Sequence, residues 1–210
     1  TLFVQSLGEW RRRVPPFDEK WGVMVPLSQQ NSQNRREIVK FSGVFIAPVT
    51  PVDSSGRVAL PLWNDLIGYL LDAGVDGLCV GGATSEYVHF TQGERKELMH
   101  CAAAGLKGRG KLFASIGAST YRQVLELGEQ AVKEGADAAL VPMPHFFRYQ
   151  QVDLEHFCRE VSRNLPLPCL LYNLPIFTNP LEIETTIRLL RESPGIVGIK
   201  DSSGDSEALT

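Results

Sequence analysis

Residues 77–116 read GLCVGGATSEYVHFTQGERKELMHCAAAGLKGRGKLFASI and contain one whole structural repeat. Gly77–Val80 is a short apolar run closed by two glycines, as a strand buried on both faces would be. Residues 92–104 carry the amphipathic spacing of a helix. Thr91 followed three residues later by Glu94 is a capping-box signature at its start. A second apolar run, 112–116, closes the unit. A strand, a helix and a further strand in about forty residues is the sequence form of a βαβ crossover.

The same rhythm extends to both sides. Apolar runs recur at 44–48, 138–142, 169–172 and 196–199, with amphipathic stretches at 60–72, 122–134, 154–164 and 181–192. The repeat interval is roughly 26–35 residues. A doubly wound sheet and a (β/α)8 TIM barrel both bury parallel strands on two faces, so periodicity alone does not separate them. No GxGxxG follows the first strand, which favours the barrel. The expected α/β fold is therefore a (β/α)8 barrel occupying residues 41–210. About six of its eight βα units are countable, so the sequence is expected to be truncated at both ends. In such a piece the sheet would keep open edges, and Lys200, on the last strand, would be more solvated than in a closed barrel.

Residues 1–40 differ in character. Arg11 to Arg13 and a polar stretch from Ser28 to Asn34 predict a mobile arm that buries little. The first methionine is Met24, which marks the residues before it as a fragment or a mistranslated upstream stretch. Residues 1–4 lack the build of a signal peptide, and no apolar run nears the ~20 residues of a membrane span. The net charge of −3 gives no electrostatic support for nucleic-acid binding. Cys79, Cys101, Cys158 and Cys169 form no CxxC pair, which speaks against a disulfide framework or a zinc site and for a reducing, cytosolic setting.

Reactive groups in α/β proteins gather at the C-terminal ends of strands. Three such ends stand out. Lys200 follows the run Gly195-Ile196-Val197-Gly198-Ile199. A lysine pointing into a barrel leaves water, desolvation disfavours an ammonium ion, and a neutral amine can attack a ketone to form an imine. Tyr172 ends the preceding strand and could pass protons beside that amine. Gly82, Ala83, Thr84 and Ser85 form a small-residue loop whose N–H groups and hydroxyls could approach a carboxylate. Each has a plainer reading when taken alone: a snorkelling lysine, a core aromatic, a strand-to-helix turn.

Taken together, Gly82-Ala83-Thr84-Ser85-Glu86, Tyr172-Asn173-Leu174-Pro175 and Gly198-Ile199-Lys200 resemble the motifs of the dihydrodipicolinate synthase / N-acetylneuraminate lyase family of pyruvate-dependent class I aldolases. Ala47-Pro48-Val49-Thr50-Pro51 and Gly117-Ala118 support the match, which covers residues 41–210. The resemblance implies a homo-oligomeric (β/α)8 barrel, a dimer or tetramer. It implies that Lys200 forms a Schiff base with pyruvate or a related 2-oxo acid, with Tyr172 as general acid/base. The substrate carboxylate would rest around Thr84, an aldehyde would be the second reactant, and no metal or organic cofactor is expected.

Three departures from the family pattern bear on the reaction. Ala83 stands where the family usually has a hydroxyl, and Phe146 matches a tyrosine that reaches across from a neighbouring subunit; in the family the two belong to one proton relay. Replacing both with apolar groups avoids the roughly 1–3 kcal/mol of an unsatisfied buried hydroxyl. The expectation is a drier pocket or another relay group. His145 is the candidate for that group, since histidine suits proton transfer near neutral pH, although a structural histidine fits as well. Phe177 stands where the synthases place an arginine for the aldehyde's carboxylate, so a true dihydrodipicolinate synthase is not expected. A sugar-acid dehydratase working through the same imine, a non-catalytic 2-oxo-acid-binding protein and an inactive fragment are the alternatives.

Overall fold

The computed structural model describes Gln5–Ser6 and residues 41–204. Its elements are strands β1 (Gln5–Ser6), β2 (Phe45–Ile46), β3 (Gly77–Val80), β4 (Lys111–Ser115), β5 (Ala138–Pro142), β6 (Cys169–Asn173) and β7 (Ile196–Asp201). The helices are α1 (Leu60–Asp72), α2 (Gln92–Leu106), α3 (Tyr121–Lys133), α4 (Gln151–Asn164) and α5 (Ile183–Glu192). Apart from Gln5–Ser6, which pairs antiparallel with β7 at Ile199 and Gly198, the arm expected over residues 1–40 lies outside the described residues.

From β2 to β7 the strands lie in consecutive order, each parallel to the next. A doubly wound sheet reverses its order at a switch point. This one does not. The six parallel strands and the helices between them are the arc of a (β/α)8 barrel.

Two apolar layers follow from strand alternation. Leu78, Val80, Leu112, Ala114, Ala139, Val141, Cys169 and Leu171 face the helices, where they meet Trp63 and Ile67 of α1 and Leu98 and Met99 of α2. Cys79, Phe113, Leu140, Leu170 and Tyr172 face the other way and form the barrel interior with Phe41 and Phe45. The Trp63 indole N–H reaches the Leu98 carbonyl at 3.1 Å, so even this buried aromatic leaves no donor unpaired.

The capping box on α2 is present as the sequence predicts. Glu94 N–H donates to Thr91 Oγ1 at 3.2 Å, and Thr91 N–H donates to Glu94 Oε2 at 2.9 Å. Such a cap typically contributes about 1 kcal/mol. It fixes where α2 starts, and with it the loop that returns from the end of β3.

One irregularity decides the geometry of the site. Cys169 pairs with Ile196, but the next residue, Leu170, pairs with Gly198, so Val197 is an extra residue in β7. Ile196 faces the helix layer. By strict alternation Lys200 would face it too. The bulge resets the count, so Gly198 lies beside Leu170, Ile199 beside Leu171 and Lys200 beside Tyr172 on the barrel-interior face.

Candidate active site

Lys200 is 0% exposed, among the largest fully buried side chains of the described residues. The expectation that it would be solvated beside an open edge is corrected by this burial, and β1 covers the neighbouring residues of that edge. Its amine has no hydrogen-bond partner among the described residues. Nζ lies 3.8 Å from the centroid of the Tyr172 ring, a cation–π geometry. Burying a nitrogen without a hydrogen bond is costly.

Tyr172 is 2% exposed, and its hydroxyl makes no hydrogen bond to a described residue. The pair is held from behind. Asn173 Nδ2 donates to Asp201 Oδ2 at 2.7 Å, and Ser202 N–H donates to the Asn173 carbonyl at 2.9 Å. Leu181 N–H donates to Asn173 Oδ1 at 3.1 Å. Asn173 thus ties the end of β6 to the end of β7, one residue beyond the tyrosine and the lysine. Burial pushes the thiol of Cys79, on the same interior face, up to about 11, against a smaller pull from the charge of Lys200.

Across the sheet, Gly82 stands over the pair. A Cβ built there would lie 3.8 Å from Lys200 Nζ and 3.8 Å from Tyr172 Cε1, so the loop backbone passes close to both groups. The N–H groups of Ala83 and Thr84 enter no backbone hydrogen bond among the described residues, and Thr84 is exposed. Ser85 is different. Its hydroxyl donates to the Pro48 carbonyl at 2.8 Å and its N–H to Gly82 at 3.2 Å, so both of its donors hold the loop together. Thr50 adds a hydrogen bond to the Ser85 carbonyl at 2.9 Å.

His145, half-buried, is not against the lysine. Its ring meets the edge of Tyr87, with centroids 6.4 Å apart. Phe146 beside it has a positive φ of 75° and is 90% exposed, a rare and strained combination for a large side chain. The loop is pinned by Asn179, whose Nδ2 donates to the carbonyls of Pro144 and Phe147 at 2.6 and 2.8 Å. That anchor sets the loop after β5 beside the loop after β6, where Ile176 and Phe177 are 73% and 68% exposed. Between Tyr172 and Arg188 there is no lysine or arginine.

Two neighbours were invisible as site residues in the sequence. Tyr87 lies in a short 3-10 turn after β3 with its ring buried, and Arg95 of α2 is buried beneath it. The Arg95 guanidinium donates to the carbonyls of Gly117 and Ser115 at 2.6 and 3.0 Å and lies 4.9 Å from the Tyr87 ring centroid. A GER sequence in the first turn of a helix reads as a solvated face, and nothing local signals that the arginine turns inward.

Residues 40–210 match the model of the dihydrodipicolinate synthetase family. The chain belongs to that family. The 4-hydroxy-tetrahydrodipicolinate synthase of Bacillus subtilis is 33% identical over 173 residues, covering 82% of this chain and 60% of that protein. Among solved structures, the 2-keto 3-deoxygluconate aldolase of Picrophilus torridus superposes with a TM-score of 0.77 at 30% identity, over 80% of this chain and 61% of the other. The dihydrodipicolinate synthase of Aquifex aeolicus gives 0.76 at 28%, covering 80% of this chain and 57% of that one. The N-acetylneuraminate lyase of Mycoplasma synoviae gives 0.73 at 27%, with the same two shares of 80% and 57%. The chain spans about 60% of the length of the first curated relative. Proteins named as a synthase, an aldolase and a lyase therefore share the fold of this part of the barrel.

Proposed function

We propose that this chain carries the imine-forming site of a class I aldolase acting on pyruvate or a related 2-oxo acid. The observation that supports it most directly is Lys200: an amine with no exposed surface and no hydrogen bond, seated against a phenol at the end of a barrel strand. Nζ attacks the C2 ketone and gives a carbinolamine. Tyr172 donates its proton to the departing hydroxyl, water leaves, and the iminium remains. In the cleavage direction the C3–C4 bond breaks as the C4 hydroxyl gives its proton to the Tyr172 phenolate left by the dehydration. The electron pair moves into the iminium and leaves an enamine. Tyr172 passes that proton to C3, regains one when water adds to the iminium, and collapse of the carbinolamine releases pyruvate and restores the amine. The imine is the electron sink, so the step needs no cofactor.

The free N–H groups of Ala83 and Thr84 and the Thr84 hydroxyl suit the substrate carboxylate, with Gly82 allowing the backbone to approach. The loop after Tyr172 offers Ile176 and Phe177 and no cation, which favours a second reactant that does not present a carboxylate there. The aldehyde expected for the dihydrodipicolinate synthases does present one, so the reading includes an aldehyde of another kind, such as the uncharged end of a sugar acid. Assembly as a dimer or tetramer belongs to the same reading, supported by the exposed Phe146, Phe147, Ile176 and Phe177. A cytosolic setting is supported by four unpaired cysteines and by the lack, among the described residues, of a helix long and apolar enough to cross a membrane.

Mass spectrometry after pyruvate and sodium borohydride tests the imine. The expected result is a reduced pyruvate adduct on the tryptic peptide containing Lys200. No adduct in this chain or in one extended to the length of its relatives would overturn the reading and favour a protein that binds without turnover. The second reactant is read from a panel of aldehydes and 2-keto-3-deoxy sugar acids. Aldehydes without a carboxylate are expected to react faster than carboxylated ones, and loss of water in place of C–C cleavage would identify a dehydratase.

A further inference from the structure

The end of β7 is held from one side. Gln5–Ser6 pairs with Ile199 and Gly198 and stops there, so Lys200 and Asp201 have a strand neighbour only in β6 among the described residues. Below them the ladder is already interrupted, since Val197 stands outside it. A strand end with a bulge beneath it and a neighbour on one side only is free to pivot unless a further contact pins it. A small pivot would move Nζ relative to the Tyr172 ring.

Asn173 and Asp201 supply the pin. They are register partners, one position beyond Tyr172 and Lys200. Strand alternation turns Asn173 to the face of Cys169 and Leu171, away from the barrel interior that holds Tyr172. Its side chain is 5% exposed. Nδ2 donates to Asp201 Oδ2 at 2.7 Å, a hydrogen bond to a carboxylate and so among the stronger kinds. The carboxylate is fixed from its other side as well, where Oδ1 accepts from the N–H of Ser203 at 2.8 Å and from the Ser203 hydroxyl.

The amide is oriented at both ends. Its oxygen accepts from Leu181 N–H at 3.1 Å, which closes the loop that carries Ile176 and Phe177. Its nitrogen therefore has to face β7. One buried side chain thus joins the tyrosine strand, the lysine strand and the loop between them, all from the far side of the sheet.

We infer that Asn173 is a positioning residue: through Asp201 it holds Lys200 and Tyr172 in the relative placement that imine formation needs. It touches neither the substrate nor the reacting atoms, and no proton or bond changes at it. This inference rests on the imine reading of Lys200.

Exchanging the two residues tests it. Asn173→Asp alone sets two carboxylates against each other. Asp201→Asn alone sets one amide nitrogen against another while Ser203 keeps its acceptor. Asn173→Asp combined with Asp201→Asn rebuilds the bond in the opposite sense: the amide now at 201 donates to the carboxylate now at 173, which still accepts from Leu181 N–H. The rate of pyruvate adduct formation, trapped with borohydride over a range of pyruvate concentrations, is measured beside the melting temperature for all four proteins. Each single substitution is expected to slow the saturated rate by about tenfold or more, since a misplacement of a fraction of an ångström is enough for that. The half-saturating pyruvate concentration should move by less than about threefold, because the loop at Gly82 is untouched. The double substitution should bring the saturated rate back to within about threefold of the unsubstituted chain. Single variants with the unsubstituted rate overturn the positioning role, whatever their melting temperatures. A change confined to the half-saturating concentration assigns Asn173 to pyruvate binding and overturns it too. So does a double variant that melts like the unsubstituted chain but stays slow. If Asn173→Asp does not fold, the neutral, isosteric Asp201→Asn carries the same comparison, and failure of both to fold assigns the pair to stability and overturns the role. Absence of an adduct in the unsubstituted chain overturns the imine reading, and the positioning role with it.

Discussion

Lys200→Ala is expected to abolish the borohydride-stable adduct with pyruvate, and Lys200→Met to abolish it while raising stability. Both remove the only group proposed to make the imine. They differ in what they leave behind. Alanine opens a cavity under Gly82 and Tyr172, where the lysine stem now packs. Methionine refills that space with an apolar chain of similar length and removes a buried nitrogen that has no hydrogen bond. An unsatisfied buried donor costs about 1–3 kcal/mol, so Lys200→Met should melt several degrees higher than the unsubstituted chain. Thermal denaturation of the three proteins under identical conditions measures this. A methionine variant no more stable than the parent would mean that the lysine pairs with a group outside the described residues. Persistent labelling in either variant would place the imine elsewhere. The destabilised lysine is then the familiar trade in which stability is given up for reactivity.

Tyr172→Phe is expected to slow adduct formation by roughly 100-fold or more, the usual worth of a well-placed general acid. The ring face against Nζ stays, so the amine keeps its place over it. Asn173 and Asp201 still clamp the two strand ends. What goes is the proton for the departing hydroxyl. Given time, the variant should reach the same adduct on the same peptide. The rate of adduct growth at fixed pyruvate checks this, and an unchanged rate would remove Tyr172 from the acid/base role.

Much of the scaffold could be read from the chain because its signals are local. Runs such as 138–142 and 169–172 are short, apolar and evenly spaced, and the capping box before α2 is written in four consecutive residues. The strand-end rule singled out Lys200, Tyr172 and the loop at Gly82, which the fold brings together. The residues that escaped are those whose partners are distant in sequence. Arg95 pairs with backbone 20 and 22 residues away, and Asn173 with Asp201 28 residues away. Ser85 read as a substrate ligand because its composition fits one. Its donors instead go to Pro48 and Gly82, one of them 37 residues distant. The first strand, expected over 44–48, is only Phe45–Ile46, because its continuation breaks away to support the loop through Pro48 and Thr50.

Val197 has a further implication for how this segment can change. Since it stands outside the ladder, the residues on either side already have the facing they would have in an uninterrupted strand without it. A shortened sequence lacking that one position would still direct the lysine inward. One lacking Ile199 would turn it toward the helices, and an added residue at the same place would do likewise. The strand therefore has one position where its length is free to drift and, immediately after it, a stretch where every residue counts. Between relatives aligned across this region, a gap at Val197 would leave the lysine facing inward, and a gap two places later would turn it away.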